Sequence, residues 1–197
     1  MRLGVCFGSL YNSGMKIATK TGDKGESGLY SGRRIKKSSL VFEVIGGFDE
    51  LNAAIGLAKS SLGNFEAEKE MFKVLEIMQI DIYRIMAIIG NDMATPGEIH
   101  EIDRKDVLLL EQFIEKYESL VLDTGKFVMP GENEISARLH FARTVCRRAE
   151  RKLVEYNDEV LAVFGGVPEF ILQYTNRLSD LLFLLSRSAE MGKKTVL

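Results

Sequence analysis

Cysteine, histidine and net charge are scarce in this chain of 197 residues, and each shortage removes a class of function. The two cysteines, Cys6 and Cys146, lie far apart and share no Cys/His spacing with the two histidines. That excludes a paired-thiolate zinc site, and it fits a reducing, cytoplasmic compartment. Neither His100 nor His140 follows a glutamate by three residues, so the Glu-x-x-His pairs of a ferritin-like di-iron bundle are absent. A formal net charge of −2 and a pI near 5.8 give no basic domain for general nucleic-acid binding. No run of 18 or more apolar residues is present, which excludes a transmembrane helix. Met1 to Gly14 carries one charge, Arg2, and short apolar patches broken by glycine, a poor signal peptide. The G-x-x-x-x-G-K-[ST] spacing of a Walker A loop is missing, and so are internal repeats and alternating β runs.

What is present reads as one helical domain. Hydrophobic content of 46% and charged content of 27% are ordinary for a globular protein long enough to bury a core. Met15 reads like a natural start, so residues 1–14 are expected to be a poorly ordered extension and 15–197 a single domain. From Lys16 to Lys37 the chain has four glycines and many basic or hydroxyl residues without helical periodicity. Thr19-Lys20-Thr21-Gly22-Asp23-Lys24-Gly25 has the materials of a phosphate cradle: glycines that turn N–H groups toward an anion, hydroxyls and lysines. A flexible surface loop is the alternative.

Five helical patterns follow. Val41, Val44, Ile45, Phe48, Leu51, Ile55 and Ala58 step by three and four straight through Gly46-Gly47, predicting one helix from Leu40 to about Ser60. Two glycines there imply close packing or a ligand near the backbone, and Asp49 and Asn52 share an edge that predicts an interface. A helix N-cap at Asp49-Glu50 after a Gly-Gly turn is the alternative. The second helix is expected from Phe65 to about Met93, with Phe72, Leu75, Gln79, Ile82, Met86, Ile89 and Met93 along one side and its methionines as packing. Thr95-Pro96-Gly97 stops it. The third runs from the N-cap Asp103 to near Leu120, burying Val107, Leu110, Ile114 and Tyr117. After a loop whose Phe127 would normally be tucked into the nearest core, the fourth runs from Glu134 to about Asn157. The fifth opens at Pro168 and ends near Met191.

The fourth helix concentrates positive charge. Between Arg138 and Lys152 stand five arginines and a lysine against one glutamate. At about 100° per residue, Arg143, Arg147, Glu150 and Arg151 fall within a third of the circumference, while Phe141, Val145, Ala149 and Leu153 face away. A solvated face is the plain interpretation of such a run. The choice of arginine over lysine favours bidentate grip on phosphate or carboxylate oxygens, and Glu150 can hold the guanidinium groups in place. On the fifth helix Phe170, Tyr174, Leu178, Leu181, Leu182 and Leu185 form an apolar face, and Asn176, Asp180 and Arg187 a polar stripe that needs partners.

Taken together and in order, four blocks resemble the PduO-type ATP:cob(I)alamin adenosyltransferases: TKTGDKG (Thr19 to Gly25), GGFDELNAAIG (Gly46 to Gly56), RTVCRRAER (Arg143 to Arg151) and NRLSDLLF (Asn176 to Phe183). The resemblance implies an all-α five-helix bundle with an N-terminal nucleotide-binding loop. It implies a homotrimer with active sites at subunit interfaces and transfer of the 5′-deoxyadenosyl group of ATP to the Co(I) of a reduced corrinoid, with release of triphosphate. Because Co(I) is a strong nucleophile, no Ser-His-Asp or Cys-His constellation is needed, and positioning and electrostatics remain as the protein's task. ATP and the corrinoid are then substrates, a divalent cation such as Mg2+ accompanies ATP with no protein ligands to name, and a reductase or an adenosylcobalamin-dependent acceptor enzyme is a possible partner.

By the same resemblance, Thr19, Lys20, Thr21 and Gly22 would wrap the triphosphate, with Ser27 and Gly28 nearby. Lys37 would reach the phosphates, with Lys36 as its competitor. Arg147, Arg148, Ala149, Glu150 and Arg151 would form the nucleotide wall, with Arg147 on phosphate and Glu150 orienting the site. Asn176 would bind ATP. Asp49 would pair with Arg143 across the subunit interface, and Phe127 would stand under the corrin and displace its lower axial ligand. Glu26 and Gly28 stand where small hydroxyl residues are more usual, and Val41 where many relatives have arginine. A non-catalytic trimeric sensor or delivery protein using the same pocket is the alternative function.

Overall fold

The computed structural model describes residues 18, 20–94, 97, 99–121 and 127–191. The expected extension, residues 1–14, lies outside them, as do Thr19, Thr95 and Pro96. A two-stranded antiparallel hairpin, β1 (Glu26–Gly28) and β2 (Arg34–Lys36), precedes α1 (Leu40–Lys59), α2 (Glu66–Gly90), α3 (Arg104–Glu118), α4 (Glu134–Phe164) and α5 (Glu169–Met191). The expected five-helix architecture is present. The hairpin was not expected, because its strands are three residues each and the glycine-rich segment shows no alternating pattern over such a length.

Helix α1 packs on α2 and α4, α4 on α5, and α5 on α3. One contiguous core links the helices, with Phe48, Leu51 and Ile55 of α1, Met78 and Ile82 of α2, Leu110 of α3, Leu139 of α4 and Tyr174 of α5 fully buried. Helix α1 begins at the N-cap Ser39 and is continuous through Gly46-Gly47, which removes the alternative of a cap at Asp49-Glu50. The two glycines differ. A Cβ on Gly47 would stand 3.5 Å from both Cα and Cβ of Ala149, so α1 and α4 approach closely here, whereas a Cβ on Gly46 would meet open space.

Three boundaries or faces depart from the sequence pattern. Helix α2 ends at Gly90 because Asp92 (φ 54°) and Met93 (φ 66°) turn left-handed, so Met93 lies past the helix. Helix α4 continues through Phe164 to the left-handed C-cap Gly165 (φ 77°); Asn157, which resembled a stop, instead accepts a hydrogen bond from Val167 N at 2.9 Å and holds the α4–α5 turn. Phe72 and Phe141 lie outside the apolar faces assigned to them. Phe72 is exposed beneath the ammonium of Lys59, 4.9 Å from its ring centroid, and Phe141 sits at the exposed flank of α4.

The start of α3 is strongly specified. Asp103 accepts from Lys105 N and Asp106 N at 2.6 and 3.3 Å, and Asp106 accepts from Asp103 N at 2.9 Å, a reciprocal capping box. Arg84 of α2 clamps it, donating to both oxygens of Asp106 at 3.0 and 2.9 Å and to Asp81 at 2.5 Å. Tyr174 of α5 donates its hydroxyl to Asp81 at 2.8 Å, so Asp81 ties α2 to α5 while Arg84 ties α2 to α3. Burial raises Asp81 above the ordinary aspartate value, opposed by the bonds from Tyr174 and Arg84.

Candidate active site

The N-terminal loop is folded over by its own hairpin. Lys20 takes a left-handed conformation (φ 57°), Asp23 N donates to Lys20 O at 3.3 Å and Gly25 N to Gly22 O at 3.2 Å. Strand pairing sets Ser27 opposite Ile35 and Gly28 opposite Arg34. The Arg34 guanidinium donates to Thr21 O at 2.8 Å, and Lys37 N to Gly25 O at 2.8 Å. A Cβ on Gly22 would come within 2.9 Å of Lys37 Nζ. The Lys37 ammonium therefore lies directly over the glycine of the loop. The hairpin is seated on the end of α2, with Ser31 N donating to Gly90 O at 3.2 Å and Arg33 paired with Asp92.

The arginine face is built from α4 against α1 and α5. Val145, Ala149 and Leu153 are buried, and Arg147, Arg148 and Arg151 are exposed. Each arginine has a separate surrounding. Arg148 bridges to Glu50 of α1 at 2.5 Å, and Arg151 donates to the carbonyl of Arg147 at 3.0 Å. Glu150 accepts from Asn176 Nδ2 of α5 at 3.1 Å, so the polar group expected on the last helix meets the acid of the arginine helix. Asn176 in turn accepts from Arg177 at 2.9 Å, and Arg177 donates to Glu111 of α3 at 3.0 Å. Ala149 faces Gly47 inside the bundle.

Arg143 and Arg147 open into a pocket of about 410 Å³ between α3, α4 and α5. Its polar lining includes Glu111, Arg177, Ser179 and Asp180, and its apolar wall is Ile114, Phe183 and Leu184. Partial desolvation raises the Asp180 carboxyl, with Arg177 opposing and Glu150 adding. The Arg143 Nε is buried and has no hydrogen-bond partner among the described residues. Asp49 is exposed on α1 and forms no ion pair among the described residues. Phe127, rather than being tucked into a core, is fully exposed, with Met129 exposed beside it. Cys146 behind the arginines is a packing group: its thiol faces Thr175 O at 3.7 Å and burial pushes its pKa far up.

A family model described as Cobalamin adenosyltransferase matches residues 17–189. The chain belongs to the cobalamin adenosyltransferase family. Among curated relatives, the corrinoid adenosyltransferase MMAB of Homo sapiens is 39% identical over 184 residues, covering 89% of this chain and 69% of the relative. The corrinoid adenosyltransferase of Bacillus subtilis is 37% identical over 175 residues, covering 88% and 86%. The corrinoid adenosyltransferase PduO of Citrobacter freundii is 35% identical over 177 residues; the match covers 89% of this chain but half the length of that relative. Among solved structures, a variant PduO-type ATP:corrinoid adenosyltransferase from Lactobacillus reuteri, complexed with cobalamin and ATP, superimposes with a TM-score of 0.77 at 29% identity, over 91% of this chain and 93% of that one.

As a member of this family the chain presents two residues that the sequence did not single out. Arg34 fixes the N-terminal glycine loop through a backbone carbonyl. Its chemistry resembles that of every other cation in the segment, so only the fold distinguishes it. Phe183 lines the pocket, and here a signal existed: it follows Asn176 and Asp180 at helical spacing and precedes Arg187, an aromatic set in a polar stripe.

Proposed function

We propose that this protein transfers the 5′-deoxyadenosyl group of ATP to the cobalt of cob(I)alamin, giving adenosylcobalamin and triphosphate. The observation that carries this is the pocket in which the guanidinium groups of Arg143 and Arg147 adjoin an apolar wall of Ile114, Phe183 and Leu184. Polyphosphate and the face of a macrocycle require those two chemistries side by side.

In the transfer, the cobalt electron pair forms a bond to C5′ of ATP as the C5′–O bond breaks, and that bond's electrons leave with the triphosphate. The cobalt is thereby oxidised from Co(I) to Co(III). No proton is abstracted, so the protein's contributions are alignment and stabilisation of the departing charge. Arg147 serves the triphosphate. Glu150, held by Asn176, keeps the cationic face from collapsing onto the nucleotide, with Arg148 and Arg151 at its margins and Ala149 setting the close α1–α4 contact. Lys20, Thr21, Gly22, Ser27, Gly28 and Lys37, together with Thr19, wrap the polyphosphate. Mg2+ travels with ATP, and among the described residues no cluster of three His, Cys, Asp or Glu is placed to hold a metal on its own. Phe127, exposed on its loop, stands under the corrin.

The working form is a homotrimer with its sites between subunits. In this assembly a neighbour's loop brings the phosphate cradle to the arginine face, whose Arg148 pairs with Glu50 of α1 and whose Glu150 accepts from Asn176 of α5. The buried, unpartnered Arg143 Nε and the exposed Asp49 support the same arrangement. The unit spans 15–197. None of the described helices is long and apolar enough to cross a membrane. We place the protein in the cytoplasm on its cysteine usage, two residues far apart in sequence with Cys146 a buried free thiol. Anaerobic incubation with ATP and chemically reduced cob(I)alamin tests the activity: the spectrum of adenosylcobalamin is expected, and binding of both substrates without that spectrum would instead support a sensor or delivery protein.

A further inference from the structure

A buried polar seam runs between α4 and α5 beside the pocket, and none of the roles above uses it. His140 lies at its centre, with its side chain 4% exposed. Its Nε2 is 3.2 Å from Ser186 Oγ, and Ser186 Oγ donates to Phe183 O at 2.6 Å. A serine hydroxyl has one proton. With that proton committed to the Phe183 carbonyl, Ser186 accepts from His140, so the imidazole carries its hydrogen on Nε2 and Nδ1 is bare. Nδ1 is buried without a partner among the described residues. The ring also meets Phe183 edge-on, with centroids 6.0 Å apart and planes at 64°.

The surrounding charges oppose a second proton. Arg143, three residues along α4, and Arg187 of α5 both face the ring's environment, and among the described residues Glu190 of α5 is the anion that opposes them. Glu190 is already engaged: one oxygen accepts from Ser136 at 2.6 Å and the other pairs with Arg187, leaving it 3.9 Å from His140 Nε2. Burial and Arg143 lower the His140 pKa, with Glu190 opposing and Arg187 adding. A proton on Nδ1 would have no acceptor and would add a cation beside Arg143 at the pocket edge.

We infer that His140, in its neutral form, is a positioning residue that holds Phe183 and the α4–α5 spacing at the pocket, so that its protonation loosens the corrin-binding wall while leaving nucleotide binding unchanged. The inference rests on the adenosyltransferase assignment. It goes beyond it in making corrinoid affinity, and not ATP affinity, fall on the acid side of the histidine range.

The test measures binding of cob(II)alamin, by its absorbance, to the ATP-loaded protein from about pH 4.5 to 8, because the His140 value lies below the ordinary one, with ATP affinity determined separately. The wild type is expected to weaken for cob(II)alamin by about fivefold or more toward the acid end, with ATP affinity changing no more than in His140→Gln. His140→Gln supplies a neutral donor that cannot titrate, and its cob(II)alamin affinity should stay flat near the wild-type alkaline value. Ser186→Ala, which removes the acceptor of Nε2–H without changing the imidazole, should move the inflection to higher pH, because Glu190 becomes the nearest acceptor. A His140→Gln profile that superimposes on the wild type, or an unmoved inflection in Ser186→Ala, overturns the inference and leaves the activity standing. A wild type that binds no cob(II)alamin at any pH contradicts the adenosyltransferase assignment itself.

Discussion

Arg147 opens into the pocket without an ion-pair partner among the described residues, whereas its neighbours Arg148 and Arg151 are already engaged. That freedom suits a side chain waiting for phosphate. Arg147→Ala is expected to lower kcat/KM by about a hundredfold or more, equivalent to ~3 kcal/mol. Steady-state kinetics with both substrates varied checks it, and wild-type values would remove Arg147 from the triphosphate site. At this scale the sequence was informative where chemistry is unusual: a glutamate among arginines, and an asparagine on an apolar helix, meet as a hydrogen-bonded pair. It was uninformative for Arg34 and for the choice between Lys36 and Lys37, because adjacent cations differ only in where the backbone points them. The exposure of Phe127 was equally illegible, since burial is the ordinary fate of a loop phenylalanine.

Helix faces and helix ends were legible to different degrees. The apolar periodicity of α1 carries through Gly46-Gly47 because a single face pays no heed to propensity at two positions, and the reason for Gly47 appears only in three dimensions, at Ala149. Gly47→Ala is expected to fold as well as the wild type or up to ~1 kcal/mol better, since 3.5 Å is ordinary contact and alanine favours helix. Gly47→Leu should cost about 1–3 kcal/mol by pushing α1 off α4; chemical denaturation distinguishes the two. The end of α4 is hidden from the sequence because Asn157 is a loop anchor for Val167, ten residues later, and sequence spacing carries no such information.

The buried meeting of Asp81, Arg84, Asp106 and Tyr174 was also invisible, because its members are scattered over three helices. Arg84→Leu would leave the Asp81 carboxylate buried beside Tyr174 alone, and a loss of about 3–5 kcal/mol is expected near neutral pH. Asp81 has a raised folded-state value, so its neutral form is the one folding favours: stability is retained below the ordinary aspartate range and lost as pH rises through the folded-state value. The deficit of Arg84→Leu should therefore shrink on acidification, and a deficit independent of pH would contradict the clamp.

For the whole molecule, five helices and their order were legible because each carries a long periodic face, while the hairpin was too short to leave a pattern. In the proposed trimer, assembly is the level at which the site becomes complete. Asp49→Asn is expected to raise the KM for ATP through misplacement of Arg143, with a weakened trimer seen by sedimentation. Wild-type kinetics in an intact trimer would remove that pairing.

The transfer itself is tested most directly by counting both products of one anaerobic reaction of ATP with excess cob(I)alamin. Equal amounts of adenosylcobalamin and intact triphosphate are expected, in the wild type and, at a much lower rate, in Arg147→Ala. Adenosylcobalamin absent while ATP is consumed to other phosphate products would contradict the account.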